Sequence, residues 1–125
     1  MPEPRRDGKG VGEHLDGAWD KRLRRGVINP ERSIDLHGHT LASAHSLLDR
    51  ALASAVADGV RVLLVVTGKP PRDPAPHQRG LIRAAVGDWL AGSAYARNIA
   101  AVRNAHPRHG GAGALYIIMR RARNG

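Results

Sequence analysis

Residues 33–67 read SIDLHGHTLASAHSLLDRALASAVADGVRVLLVVT, and the hydrophobic period changes twice within them. Ser33 to Leu36 is a short β candidate that runs into His37-Gly38-His39-Thr40. The Thr40 hydroxyl can cap a helix start, and Leu41, Ala44, Leu48, Leu52 and Ala55 then follow the 3.6-residue period through Asp58. Ser43, Ser46, Asp49 and Arg50 fall mostly elsewhere on that helix, and Gly59 offers a left-handed stop. Arg61 to Thr67 places five β-prone apolar residues in a row, as expected of a central strand covered on both sides. Strand, helix and strand so joined predict a right-handed parallel crossover.

Downstream, Pro70, Pro71, Pro74 and Pro76 are half of the chain's eight prolines, so residues 70–78 predict an irregular surface loop. From Arg79 or Gly80 to Ala91, Leu81, Ala85 and Trp89 share a stripe beside Ile82, Val86 and Leu90, and Gly92 ends this second helix. Asn98 to Ala105 and Ala114 to Arg120 are β-like, joined by the glycine-rich stretch His106 to Gly113. Upstream, Glu13 to Arg25 carries Leu15, Trp19 and Leu23 on one helical stripe, with Arg22, Arg24 and Arg25 near its end and Gly26 as a stop. Residues 1–12 have almost nothing to bury and predict a tail. The expected division is a flexible tail and short helix over 1–30 and a single domain over 31–125. The order βαβαββ predicts an α/β two-layer sandwich with a mixed four-stranded sheet and no internal repeat.

The chain has 125 residues, 42% of them hydrophobic, which suits one core and excludes two full domains. It contains no cysteine, which excludes disulfide frameworks, thiolate metal sites and a Cys nucleophile. Lys+Arg outnumber Asp+Glu by 20 to 11, a net charge of +9 that favours an anionic partner. Seventeen of those cations are arginine, whose fork suits phosphate. Trp19, Trp89, Tyr95 and Tyr116 are too few for base-stacking platforms, so contacts to a nucleic-acid backbone would dominate. No apolar stretch suits a secretory signal or a membrane span, and the expected setting is the cytoplasm, with no membrane partner.

Five clusters can carry chemistry or hold a ligand. Asp35 and His37 alternate, so carboxylate and imidazole emerge together at a strand's C-terminal edge, where His37 suits general acid/base work and the simpler reading is a hydrogen-bonded turn. His37-x-His39 invites a metal reading, but two histidines without a third ligand do not make a site; His45, on the polar side of its helix, reads as a surface residue. Thr67-Gly68-Lys69 resembles the end of a phosphate-binding loop, yet lacks the Walker spacing and runs into Pro70, which argues against NTP as a partner. Gly68 and Lys69 can still offer an N–H and a charge to a phosphate, or simply turn the chain out of its strand. His109, Gly110, Gly111 and Gly113 form a loop richer in glycine than a hairpin needs, open to close backbone approach by a ligand. Arg120, Arg121 and Arg123 read as a solvated basic end or as a nucleic-acid contact.

Ile34 to Thr40, Thr67 to Lys69 and His109 to Tyr116 together resemble, in order and spacing, the motifs of the small MutS-related (Smr) domain family, over about residues 31–121. Trp19 to Pro30 is similar to the lead-in of its stand-alone bacterial members. The resemblance implies a fold similar to the C-terminal domain of bacterial initiation factor 3 and an endonuclease that nicks DNA or cleaves RNA, some members acting on messenger RNA at stalled ribosomes. It assigns Asp35 and His37 as the catalytic pair. Substrate binding would fall to Gly38, Thr67, Gly68, Lys69, His109, Gly110, Gly111, Gly113, Arg120 and Arg121, with no metal-ligand set. Pro70 stands where the family has a second glycine and supplies no N–H. RNA is the expected substrate, because its 2′-hydroxyl is a built-in nucleophile; on DNA an activated water and Mg²⁺ would be needed. The competing expectation is a non-catalytic adaptor that binds nucleic acid or the ribosome.

Overall fold

The computed structural model describes residues 17–68 and 81–121. The predicted tail, the start of the first helix, the proline segment with Lys69, and Arg123 lie outside the described residues. In chain order the elements are α1 (Gly17–Arg25), β1 (Arg32–Asp35), α2 (Leu41–Asp58), β2 (Val62–Val66), α3 (Leu81–Ala91), β3 (Ile99–Asn104) and β4 (Ala114–Met119). The strands lie in the order β1-β2-β4-β3; β1 and β2 are parallel, and β4 runs antiparallel to both β2 and β3.

Helix α2 begins and ends where its termini are chemically satisfied. The Thr40 hydroxyl accepts from the Ser43 N–H at 3.1 Å, and Gly59 closes the helix at φ 69° with its N–H directed at Ala55 and Val56 carbonyls. Ala44, Leu48 and Leu52 of α2 and Val86 and Leu90 of α3 pack on Leu63, Val65, Leu115 and Ile117 of the sheet. On the opposite face, Leu23 of α1 packs with Val62, Ala101, Tyr116 and Ile118, joined by partly buried Trp19. Strand β4, central and covered on both faces, is buried at all six positions. The α/β layers expected from the pattern are therefore present, with α1 covering part of the second face.

Three local expectations change. Leu41 is 46% exposed rather than inward, because it opens the helix beyond the last residue of the β1–β2 ladder. Leu36 lies past the end of β1, although its side chain is fully buried and its N–H still reaches the Val66 carbonyl at 2.7 Å. The connection after β3, expected only as a glycine-rich loop, forms two short 3-10 turns, Pro107–His109 and Gly111–Gly113.

Candidate active site

The C-terminal ends of β1, β2 and β3 and the start of β4 meet on one edge of the sheet. Asp35, Val66 and Ala114 lie in one row across it. Paired strand residues share a face, and Ile34 and Leu36 join the α2–α3 core, so Asp35 belongs to the other face, that of Ala114 and Tyr116.

One carboxylate oxygen, Asp35 Oδ1, accepts the His37 backbone N–H at 3.0 Å and meets His37 Nδ1 at 2.6 Å. Both side chains are open to solvent, His37 at 65% and Asp35 at 53%. The hydrogen bond from His37, foremost among the influences, holds the Asp35 carboxyl below its ordinary range, so it is ionised at neutral pH. With Nδ1 so held, Nε2 is the nitrogen left for an incoming group. Gly38 follows in a turn closed by the His39 N–H on the Leu36 carbonyl, and His39 Nδ1 rests 2.9 Å from the Ser43 hydroxyl on α2.

The second and third motifs meet at a single carbonyl. Gly113 O accepts the N–H groups of Thr67 at 2.8 Å and Gly68 at 3.1 Å, and the Thr67 hydroxyl at 3.3 Å. Gly68 has φ 92°, and a Cβ there would stand 2.8 Å from His37 Cβ, so backbone in this conformation passes directly against the histidine. Gly110 and Gly111 also have positive φ and shape the loop that returns the chain to β4.

On this edge His109 Nδ1 lies 2.5 Å from the phenol oxygen of Tyr116, with the rings edge to face. Tyr116 is wholly buried and its oxygen also accepts the His106 N–H at 3.1 Å. Burial first, then the neighbouring Arg108 and His106, lowers the pKa of His109. Arg83 of α3 straps the glycine loop from outside, donating to the Ala112 carbonyl at 2.8 Å and to the Asn104 side chain.

These three segments all fall within residues 34–120, which match the family model of the Smr domain. The chain belongs to the Smr domain family. It is similar to the probable DNA endonuclease SmrA of Escherichia coli K12, 31% identical over 105 residues that make up 84% of this chain and 53% of that protein. The chain thus spans about half the length of that relative. Among solved structures it resembles YdaL, a stand-alone small MutS-related protein from Escherichia coli, at a TM-score of 0.68 and 29% identity over 87% of this chain and 79% of that one. The Smr domain of Thermus thermophilus MutS2 matches at a TM-score of 0.58 and 28% identity, over 71% of this chain and 98% of that one.

Within this Smr domain the expected site residues do not all converge. Asp35, His37, Gly38, Thr67, Gly68, His109, Gly110, Gly111 and Gly113 gather on one edge. Arg120 and Arg121 follow β4 at the opposite edge, about 17 Å of strand away, where Arg120 Nε donates to the Arg97 carbonyl at 2.9 Å. His45 stacks on Trp89 with ring centroids 4.9 Å apart, which gives this surface histidine a packing role between α2 and α3. Tyr116 and Arg83 join this edge without being among the site residues that the sequence motifs point to. For Tyr116 a signal exists, a lone polar handle inside an otherwise apolar strand; for Arg83, one arginine among many, none does. Among the described residues no three His, Asp or Glu side chains converge as a metal-ligand group.

Proposed function

We propose that this Smr domain is an endonuclease acting on the phosphodiester backbone of RNA, with His37 moving protons and Asp35 orienting it. The observation that carries the reading is the 2.6 Å Asp35–His37 pair, open to solvent and backed by Gly68. An ionised carboxylate on Nδ1 fixes the ring and favours the cationic imidazole that forms during proton transfer. The name of the SmrA relative supports nuclease chemistry. The excess of arginine supports binding through phosphates, and Thr67, Gly68 and the glycine loop offer a surface that a backbone can approach closely. A groove of about 640 Å³ between α1 and β3 brings Arg24 and His106 together with Arg103, whose Nε is paired with Asp20 at 2.8 Å.

RNA is favoured because its 2′-hydroxyl supplies the nucleophile and acid/base groups then suffice. The proposal extends to messenger RNA on stalled ribosomes in a cytoplasmic setting; among the described residues, no helix is long and apolar enough to cross a membrane. The relative SmrA, a probable DNA endonuclease, favours a second reading, nicking of DNA. Nicking would need a water activated by a divalent ion such as Mg²⁺. Asp35 could offer it Oδ2, since Oδ1 is engaged by His37, and the other ligands would be phosphate and water.

End-labelled single-stranded RNA and matched DNA, each with Mg²⁺ or EDTA, test the two readings on wild type, His37→Ala and Asp35→Ala. RNA cuts that survive EDTA and vanish in both variants are expected. Cuts on DNA alone, and only with Mg²⁺, would establish the nicking enzyme. Binding without cleavage of either would leave a non-catalytic adaptor.

A further inference from the structure

Resting on the RNA reading, we propose that His109 is a second catalytic residue, taking the proton from the ribose 2′-hydroxyl while His37 delivers one to the departing 5′-oxygen. In an in-line displacement the attacking and leaving oxygens lie on opposite sides of phosphorus, so base and acid must approach from two directions. The sheet edge carries an imidazole at two separate places. Asp35 and Ala114 sit in one row two strand spacings apart, about 10 Å between backbones, on the same face. The 110–113 loop brings His109 against Tyr116 on that face, and the Gly113 carbonyl ties the loop to Thr67 and Gly68, of which Gly68 backs His37.

The two imidazoles are held alike at Nδ1 and differ in what holds them. His37 Nδ1 meets an ionised carboxylate, whereas His109 Nδ1 meets a buried neutral phenol. A carboxylate without its proton can only accept from the ring, whereas a phenol can accept or donate. Burial first, and then Arg108 and His106 beside it, lowers the pKa of His109, the direction that favours the neutral ring. The base role requires the tautomer in which Nδ1–H donates to the Tyr116 oxygen, which also accepts the His106 N–H, so that the Nε2 lone pair is open. Among the described residues Nε2 has no partner.

The step balances. The 2′-O–H proton passes to His109 Nε2, the 2′-O–P bond forms, the P–O5′ bond breaks, and His37 Nε2–H protonates the leaving oxygen. The products are a 2′,3′-cyclic phosphate and a 5′-hydroxyl, and proton exchange with water resets both rings.

The test compares wild type, His109→Gln, His37→Ala and Tyr116→Phe on two oligoribonucleotides, one ordinary and one with sulfur in place of the bridging 5′-oxygen. A thiolate leaves without a proton, so the second substrate bypasses the acid and not the base. On ordinary RNA, His109→Gln and His37→Ala are each expected to lose about 10²–10⁴-fold in kcat. On the thio substrate His37→Ala recovers and His109→Gln does not, while Tyr116→Phe lowers kcat with KM unchanged. Circular dichroism and RNA binding by anisotropy establish that each variant is folded and binds. A His109→Gln protein that cleaves at the wild-type kcat with a raised KM overturns the base role in favour of binding. Rescue of His109→Gln by sulfur overturns the assignment. Wild type inert on both substrates overturns the RNA reading, and this proposal with it.

Discussion

A Cβ added at Gly68 would stand 2.8 Å from the Cβ of His37, so the second motif's backbone is the wall against which the first motif's histidine rests. Gly68→Ala is therefore expected to strain a φ of 92° by about 1–2 kcal/mol and to push the ring off its partner. Displacement by about 1 Å costs on the order of 10²-fold in rate, which single-turnover cleavage would read, with a thermal melt reporting the strain. An unchanged rate would show that His37 position is set elsewhere.

Asp35→Asn keeps the shape and removes the charge. The pKa of the Asp35 carboxyl is depressed in the folded protein, so its stabilising contribution is full above its ordinary value of 3.8 and is lost as pH falls through the lowered one. Acid unfolding followed by circular dichroism should begin at higher pH in wild type than a pH-independent pair would allow, and Asp35→Asn should flatten that acid dependence. The same variant should cleave slower by roughly 10²-fold or more, because the imidazole loses its anionic partner.

His109 has the same sign of linkage as Asp35, in a higher pH window, and from a different cause, burial rather than a hydrogen bond. Its folded pKa lies below the ordinary 6.5, so the unfolded chain binds the proton more readily and stability falls as pH drops through 6.5. Denaturant midpoints measured from pH 7.5 down to 5.5 should decline in wild type, and less steeply in His109→Gln.

Arg83 touches the glycine loop from outside the cleft. Arg83→Ala removes its bonds to the Ala112 carbonyl and the Asn104 side chain, at a cost of about 1 kcal/mol in the melt. The loosened loop should lower kcat several-fold with little change in KM, and Arg83→Lys should restore part of it. A rise in KM alone would mark Arg83 as a substrate contact instead.

Arg121→Ala, at the far end of the sheet, should leave cleavage of a short oligonucleotide unchanged. A longer strand is a different case: if it reaches that end, the slope of log affinity against log salt should fall by about one unit. Fluorescence anisotropy over a salt series separates the two.

Short-range chemistry made much of this structure readable. The Thr40 cap, the stripe through Ala44, Leu48 and Leu52, and the stop at Gly59 each depend on neighbours within four residues. The pairing of Asp35 with His37 is local too, since alternate strand residues share a face. The unread parts depend on strand direction and distant partners. Antiparallel β4 carries His109 and Gly113 to the Asp35 edge and sends Arg120 and Arg121 to the other, and charge counts carry no direction. Tyr116 reaches His109 because a turn folds the loop back on the strand, and Arg83 reaches Ala112 across 29 positions of chain. Leu41 fits the helical stripe by period, yet periodicity does not reveal where the sheet beneath the helix stops.

Helix α1 lies before residue 34, where the family match begins, yet Leu23 and Trp19 cover Val62, Ala101, Tyr116 and Ile118. A fragment trimmed to the matched residues would keep every motif and bare an oily patch beside the edge that carries Asp35 and His37. Such a patch invites self-association, so a trimmed fragment that clumps or fails to cut would reveal a lost cover rather than a lost reagent.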